Sequence, residues 1–141
     1  LSWRPDEGKI REKQVLELLQ FIDENTDRHE VLVTGDFNAP SDTPEIEMMK
    51  TQGGFDDAYT LLYEDQGFQG LTWDNENPYV REASVRLPDR RIDYIFFRNA
   101  LHLLAHLSSV RIVFTEPDSR GVYASDHYGA LAAFASKPKE K

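Results

Sequence analysis

The sequence predicts an α/β domain: a mixed β-sheet with helices on one face. Amphipathic helical spacing near the start, several short apolar runs typical of buried strands, and turn residues between them all point to this class. The length of 141 residues suits one domain with a single core. The chain contains no cysteine, which excludes disulfides and thiolate metal sites.

Two helices and one strand are predicted in the first third of the chain. The first helix runs from Ile10 to about Asn25, and its apolar residues recur at helical spacing: Val15, Leu18, Leu19 and Ile22. The β-branched and apolar run from Val31 to Thr34 predicts a buried, central strand. A second helix is predicted from Pro44, with Thr43 as its N-cap.

The remainder of the chain predicts three more strands and one long loop. A short helix or turn at Phe55 to Tyr63 is followed by an irregular stretch through Asp89. Strands are predicted at Ile92 to Phe97, which is apolar enough to be covered on both faces, at Val110 to Phe114, and at Gly129 to Phe134. Long loops in compact domains are usually functional or poorly ordered.

The charge balance restricts the partners that we expect. Sixteen basic and twenty-five acidic residues give a formal net charge of −9, and no basic stripe is visible, so extended duplex DNA is disfavoured. Most of this charge is explained by a solvated surface, although gathered carboxylates would suit hard cations. No apolar run is long enough to span a bilayer. We expect a soluble protein and leave the compartment open between cytoplasmic and secreted.

Polar residues with catalytic potential stand beside three predicted strands: Asp36 with Asn38, Asp93, and Asp126 with His127. A single aspartate is most often a surface or turn residue, and Asp36 after Gly35 fits a turn. An unpaired Asp93 inside an apolar strand would be costly. Two explanations stay open for Asp93: an ion pair with Arg90 or Arg91, or a contact that holds the His127 ring. We interpret three other histidines as structural: His29, His102 and His106.

Three motifs in order resemble the endonuclease/exonuclease/phosphatase superfamily, in its bacterial or neutral-sphingomyelinase-like branch. They are Gly35-Asp36-Phe37-Asn38, Arg91-Ile92-Asp93-Tyr94-Ile95 and Ser125-Asp126-His127. Loop sequences at Leu71-Thr72-Trp73-Asp74 and Asn77-Pro78 look similar to motifs of those branches. The resemblance implies that residues 1–136 form the carboxyl-terminal half of a four-layer α/β sandwich, with 137–141 as a charged tail.

The resemblance implies a divalent-metal-dependent hydrolase of phosphate esters, of phosphodiesterase, nuclease or phosphatase type. In this interpretation Asp36 orients the attacking water or assists the leaving group, and Asn38 hydrogen-bonds the scissile phosphate. Asp93 pairs with His127, which contacts a phosphoryl oxygen or acts as a base. The choice of general base stays open between Asp36 and His127.

The implied cofactor is Mg²⁺ or Mn²⁺, with Asp126 and Asp36 as metal ligands. Trp73 and Arg91 are candidate substrate-binding residues, since Trp73 could stack on a base or sugar or touch lipid, although local packing explains a loop aromatic equally well. The substrate class stays open among small phosphodiesters, nucleotides, lipid head groups and sugar phosphates.

The chain also departs from the superfamily pattern. The early asparagine, the metal-binding glutamate and the histidine of a Thr-His-Leu strand, all in the amino-terminal half of the family, are absent, and Leu1 matches the last residue of that triplet. We therefore expect a piece of a longer protein, inactive alone, whose sheet is covered by the missing amino-terminal half or by a partner. The alternatives are a non-catalytic binding module that retains the fold, or a structural fragment whose polar cluster is a salt-bridge network.

Overall fold

The computed structural model describes residues 1–27, 30–63, 70–100 and 106–135. In chain order its elements are α1 (Gly8–Asn25), β1 (Val31–Asp36), α2 (Pro44–Thr51), β2 (Asp56–Asp57), α3 (Ala58–Tyr63), α4 (Pro78–Arg81), β3 (Asp93–Arg98), β4 (Leu107–Val113) and β5 (Gly129–Phe134). Within these residues no helix is long and apolar enough to cross a membrane.

The strands form two antiparallel sheets. In the first, β3 lies between β1 and β2, and in the second β4 pairs with β5. The register of β1 and β3 places Asp36 opposite Asp93 and Leu32 opposite Phe97. Cross-strand partners project from the same face of a sheet, so all four of these side chains share one face. The predicted α/β fold class is confirmed.

Helices α1 and α2 cover the other face of the first sheet. Val15, Leu19 and Ile22 of α1 and Ile46 and Met49 of α2 pack on Tyr94 and Phe96 of β3. The same main core cluster also contains Val31, Phe37, Ala39 and Phe55. Arg11 of α1 also donates to the Glu45 carboxylate of α2 at 2.6 Å, and both side chains are buried. This packing leaves the face that carries Asp36 and Asp93 free of those two helices.

The face opposite α1 and α2 combines buried and exposed apolar groups. Phe97 is fully buried in a second cluster with Ala58, Ala100 and Val110, and its ring lies 5.7 Å from that of Phe134 on β5. Beside it, Leu32 is 56% exposed and Phe134 is 40% exposed. An apolar strip therefore crosses β1, β3 and β5 with its two ends open to solvent.

Two expectations about burial require correction. Strand β1 is not a buried central strand: among the described strands it lies at the edge of its sheet, with Leu32 and Thr34 exposed. A short apolar run looks the same whether one or both faces are covered, because periodicity does not distinguish the two cases. Asp93 is the first residue of β3 rather than an interior one, and it is only partly buried.

The remaining expectations agree with the structure in outline. Helices α1 and α2 lie where predicted, and Thr43 is the N-cap residue of α2, although its hydroxyl donates to the Pro40 carbonyl and forms no cap hydrogen bond. The Phe55 to Tyr63 segment contains β2 and α3, and the long loop contains the short helix α4. His29, His102 and the 137–141 tail lie outside the described residues.

Candidate active site

The ends of β1 and β3 bring Asp36 and Asp93 side by side, as register partners. The chain then turns at Asn38, whose φ of 52° lies in the left-handed region that asparagine tolerates better than most residues. This turn directs Asn38 back to Asp36: its backbone N–H and its side-chain amide each donate to the carboxylate at 2.7 Å. The Gly-Asp-Phe-Asn motif is thus a local unit that fixes one carboxylate and one amide.

His127 reaches the same place from the loop before β5. Its Nδ1 atom lies 2.9 Å from Oδ2 of Asp93. The hydrogen bond that the His127 ring donates to the Asp93 carboxylate raises the pKa of His127 above its ordinary value, and burial acts in the opposite direction. Because Nδ1 faces Asp93, Nε2 is the ring atom available on the far side for a reacting group.

The carboxylates and the imidazole form a compact group of potential metal ligands. One ligand atom from each of Asp36, Asp93 and His127 lies within 4.8 Å of the others. Burial raises the pKa of Asp36; the N–H of Asn38 acts against this and the charge of Asp93 adds to it. A cation between the two carboxylates would relieve that repulsion, and their oxygens are the donors that Mg²⁺ prefers.

A buried threonine, whose role the sequence did not reveal, connects the strand of Asp93 to the loop of His127. The Thr72 hydroxyl accepts the backbone N–H of Ile92 at 3.1 Å and that of Asp93 at 3.2 Å. The Thr72 carbonyl accepts the N–H of Tyr128 at 2.8 Å. Thr72 therefore holds Asp93 through its side chain and the neighbour of His127, Tyr128, through its backbone.

Asn77 performs a similar task from the start of α4. Its side-chain oxygen accepts the N–H of Tyr79 at 3.0 Å and so caps the helix. Its amide donates to the carbonyls of Ser125, at 2.9 Å, and Asp126, at 3.3 Å. An asparagine before a proline signals a helix start, but its hold on a loop 48 residues away is visible only in three dimensions.

The site opens into a cleft of about 240 Å³. Its walls include Trp3, Asp36, Asn38, Trp73, Ala83, Ser84, Val85, Leu87, Arg90, Asp126 and His127. The Trp73 and His127 rings meet edge to face with centroids 5.2 Å apart. A cavity of this size is large enough to admit a phosphate group with a small substituent.

The structure brings most, but not all, of the predicted site residues together. Asp36, Asn38, Asp93 and His127 converge, and Asp126 and Trp73 line the same cleft, although Asp126 is not one of the three clustered ligand groups. Arg91 lies elsewhere: it is buried, and its Nη2 donates to Asp57 at 2.7 Å. Of the two explanations for Asp93, the structure contains the contact with His127.

Several solved structures share the fold at low sequence identity. They include TDP2 from D. rerio complexed with single-strand DNA product (TM-score 0.70, 23% identity, 96% of this chain and 54% of that chain). A second is the human Nocturnin catalytic domain with bound sulfate (TM-score 0.62, 23% identity, 96% of this chain and 45% of that chain). A third is the Neisseria 3' phosphatase NExo bound to a product DNA hairpin (TM-score 0.62, 21% identity, 94% of this chain and 56% of that chain). The chain thus spans about half the length of these proteins.

Family membership rests on the sequence rather than on these fold matches alone. No curated protein matches the chain. The profile of the Endonuclease/Exonuclease/phosphatase family matches residues 4–127, which contain all three motifs and the converging side chains described above. The chain belongs to the endonuclease/exonuclease/phosphatase family.

Proposed function

We propose that the protein represented by this chain hydrolyses phosphate esters with the help of Mg²⁺ or Mn²⁺. Members of its family are hydrolases that act on such esters. The observation that carries the proposal is the 2.9 Å contact between Asp93 and His127, beside the Asp36–Asn38 unit and at the edge of an open cleft. A structural salt-bridge network would not need a cleft in front of it.

Each converging side chain has a distinct part in the proposed reaction. Asp36 orients the attacking water. Asn38 exchanges the hydrogen bond that its amide donates to the Leu1 carbonyl, at 2.9 Å, for one to the scissile phosphate. Asp93 fixes the ring of His127 so that Nε2 faces the phosphoryl group. The proton of the water passes to Asp36 or to His127, and separate substitutions of these residues distinguish the two routes.

Carboxylates at the cleft supply the proposed metal site. We propose Asp36 and Asp126, which both line the cleft, as metal ligands. Asp93, close to Asp36, adds an oxygen donor that fits a hard cation. When bound, the cation supplies charge neutralisation on the phosphoryl oxygens. Mg²⁺ requires more oxygen ligands than these, which water, substrate and residues outside this chain would provide.

The cleft and the charge favour a small or single-stranded substrate. A volume of about 240 Å³ fits a phosphate with a small substituent, and the net charge of −9 disfavours extended duplex DNA. Two structural neighbours are bound to DNA products, which makes the end of a nucleic acid strand one member of this class. Trp73 offers a flat surface at the cleft wall for a base or sugar.

Further protein is proposed to cover the exposed face of the first sheet and so complete the domain. The exposed Leu32 lies on the sheet face that also carries Asp36 and Asp93, and the exposed Phe134 of β5 packs against Phe97 of that face. Exposed apolar surface of this kind normally pairs with other protein. The chain also spans only about half of its structural neighbours. We therefore expect the missing amino-terminal half, or a partner, to cover this face, and the isolated chain to be inactive.

The decisive experiment compares the 141-residue chain with a version extended at its amino terminus. Both are assayed on bis(4-nitrophenyl) phosphate with Mg²⁺, with Mn²⁺ and with chelator. Metal-dependent hydrolysis by the longer protein, abolished by His127→Ala, supports the proposal. Absence of hydrolysis in every version and with every metal would favour the alternative, a binding module that retains the fold.

A further inference from the structure

We propose that Arg90 binds the phosphoryl oxygens of the substrate in the cleft, an assignment that rests on the proposed hydrolase function and identifies a further residue of that site. It replaces Arg91, its sequence neighbour, as the arginine expected to contact substrate. Neighbouring residues on an extended segment project to opposite sides, and only Arg90 lines the cleft that contains His127.

Arg90 differs from the other arginines of low exposure because no carboxylate pairs with it in the described part of the chain. The other arginines with little exposed side chain are paired: Arg11 with Glu45 at 2.6 Å, Arg91 with Asp57 at 2.7 Å and Arg98 with Asp23 at 2.7 Å. Within the described part of the chain, Arg90 forms no ion pair. Its Nε is buried without a hydrogen-bond acceptor, as are Nη1 of Arg91 and Nε of Arg98, but those two arginines each have a carboxylate partner. This occurs in a protein with twenty-five acidic residues, so pairing partners are plentiful.

The position of Arg90 is fixed by its backbone. Its N–H donates to the Trp73 carbonyl and its carbonyl accepts the Trp73 N–H, both at 2.9 Å. Its guanidinium carbon lies 5.9 Å from the centre of the Trp73 ring, and that ring meets His127. The partly buried guanidinium of Arg90 therefore lies in the same wall of the cleft as Trp73 and His127.

The planar guanidinium group of Arg90 favours a ligand that carries a phosphate group. A partly buried cation without an ion-pair partner has lost hydration that the Trp73 ring replaces only in part. A phosphate group presents two or more oxygens that match the planar fork of donors, whereas a lysine ammonium is only a point charge. An anion in the cleft, facing Asn38 and His127 as well, would supply the anionic partner that Arg90 lacks.

The test measures phosphate binding directly. Inorganic phosphate is titrated by calorimetry into the 141-residue chain and into its Arg90→Gln, Arg90→Lys and Arg81→Gln variants. Arg90→Gln is expected to weaken binding roughly 10- to 100-fold, as the loss of a charged hydrogen bond does. Arg90→Lys keeps the charge but not the fork, and falls in between. Arg81 is exposed at the end of α4 and lines no described part of the cleft, so Arg81→Gln is the matched control.

Two results would overturn the assignment: wild-type chain that does not bind phosphate, or Arg90→Gln that binds it as well as wild type. Should Arg90→Gln fail to fold, by circular dichroism, the Arg90→Lys comparison decides alone. In the extended protein Arg90→Gln should raise KM for bis(4-nitrophenyl) phosphate more than it lowers kcat. If Arg90→Gln hydrolyses the substrate with unchanged kinetics, only the role of Arg90 is contradicted. If the unsubstituted extended protein does not hydrolyse it, the proposed function is contradicted.

Discussion

Oδ2 of Asp93, at the start of β3, lies 2.9 Å from Nδ1 of His127, although the two residues are 34 positions apart in the chain. Antiparallel pairing sets Asp36 opposite Asp93, so the same strand end serves both the carboxylate pair and the imidazole. Thr72 and Asn77 then hold the His127 loop against that strand end. The geometry of the site thus depends on Thr72 and Asn77, although neither residue lines the cleft.

Replacing Asp93 with asparagine should lower the pKa of His127. The hydrogen bond to Asp93 raises this pKa above its ordinary value of 6.5. The contribution of the pair to the free energy of unfolding is therefore fully present below the unfolded pKa, and it is lost as pH rises through the folded pKa. Titration of the His127 ring by NMR in metal-free protein should find a lower pKa in Asp93→Asn, and denaturant unfolding should show a flatter dependence on pH across that window. The exposed Asp56→Asn variant is the control, and equal His127 titrations in all three proteins would contradict the assignment.

Removal of the proposed catalytic groups should abolish turnover while leaving the fold intact. In the amino-terminally extended protein, Asp36→Asn and His127→Ala should each lower kcat roughly 100- to 10,000-fold, the usual contribution of a general acid or base. Chelation should produce a comparable loss, reversed by Mg²⁺ or Mn²⁺. Steady-state assays on bis(4-nitrophenyl) phosphate make the measurement. The Asp56→Asn variant should retain activity, and a fully active His127→Ala protein would exclude the proposed role.

The amide of Asn77 should matter more for the position of the His127 loop than for helix α4. Asn77→Ala loses both its cap and its bonds to the Ser125 and Asp126 carbonyls, which should cost roughly 1 to 3 kcal/mol of unfolding free energy. Asn77→Ser retains a good N-cap but is too short to reach the loop. Thermal unfolding and phosphate binding should therefore show that Asn77→Ser restores part of the stability without restoring the binding. Recovery of both properties in Asn77→Ser would mean that the cap alone is important.

Breaking the buried pair between α1 and α2 should destabilise the chain strongly. Glu45→Ala leaves the Arg11 guanidinium buried without its carboxylate, a change that typically costs roughly 3 to 5 kcal/mol. Urea unfolding should detect it. Lys9→Ala breaks the exposed Lys9–Glu12 pair on the same helix and should cost less than about 1 kcal/mol. Similar losses in the two variants would show that Arg11 is solvated despite its burial.

The sequence identified the segments that carry the chemistry because each depends on local patterns. A helical repeat located α1, the proline after Thr43 located α2, and apolar runs located β1, β3 and β5 within a few residues. Polar groups beside those runs identified Asp36, Asn38, Asp93 and His127. Spacing and residue type are sufficient for such features because they arise from the periodicity of each element and from the chemistry of single side chains.

Only the tertiary structure decided which of these residues meet and which faces are covered. The pairing register placed Asp36 against Asp93, and long-range packing brought His127 to Asp93 while committing Arg91 to Asp57. The exposure of one face of β1 was equally hidden, because an apolar run does not record whether a second layer lies against it. Contacts between segments far apart in sequence depend on how those segments pack, and no local pattern encodes that relation.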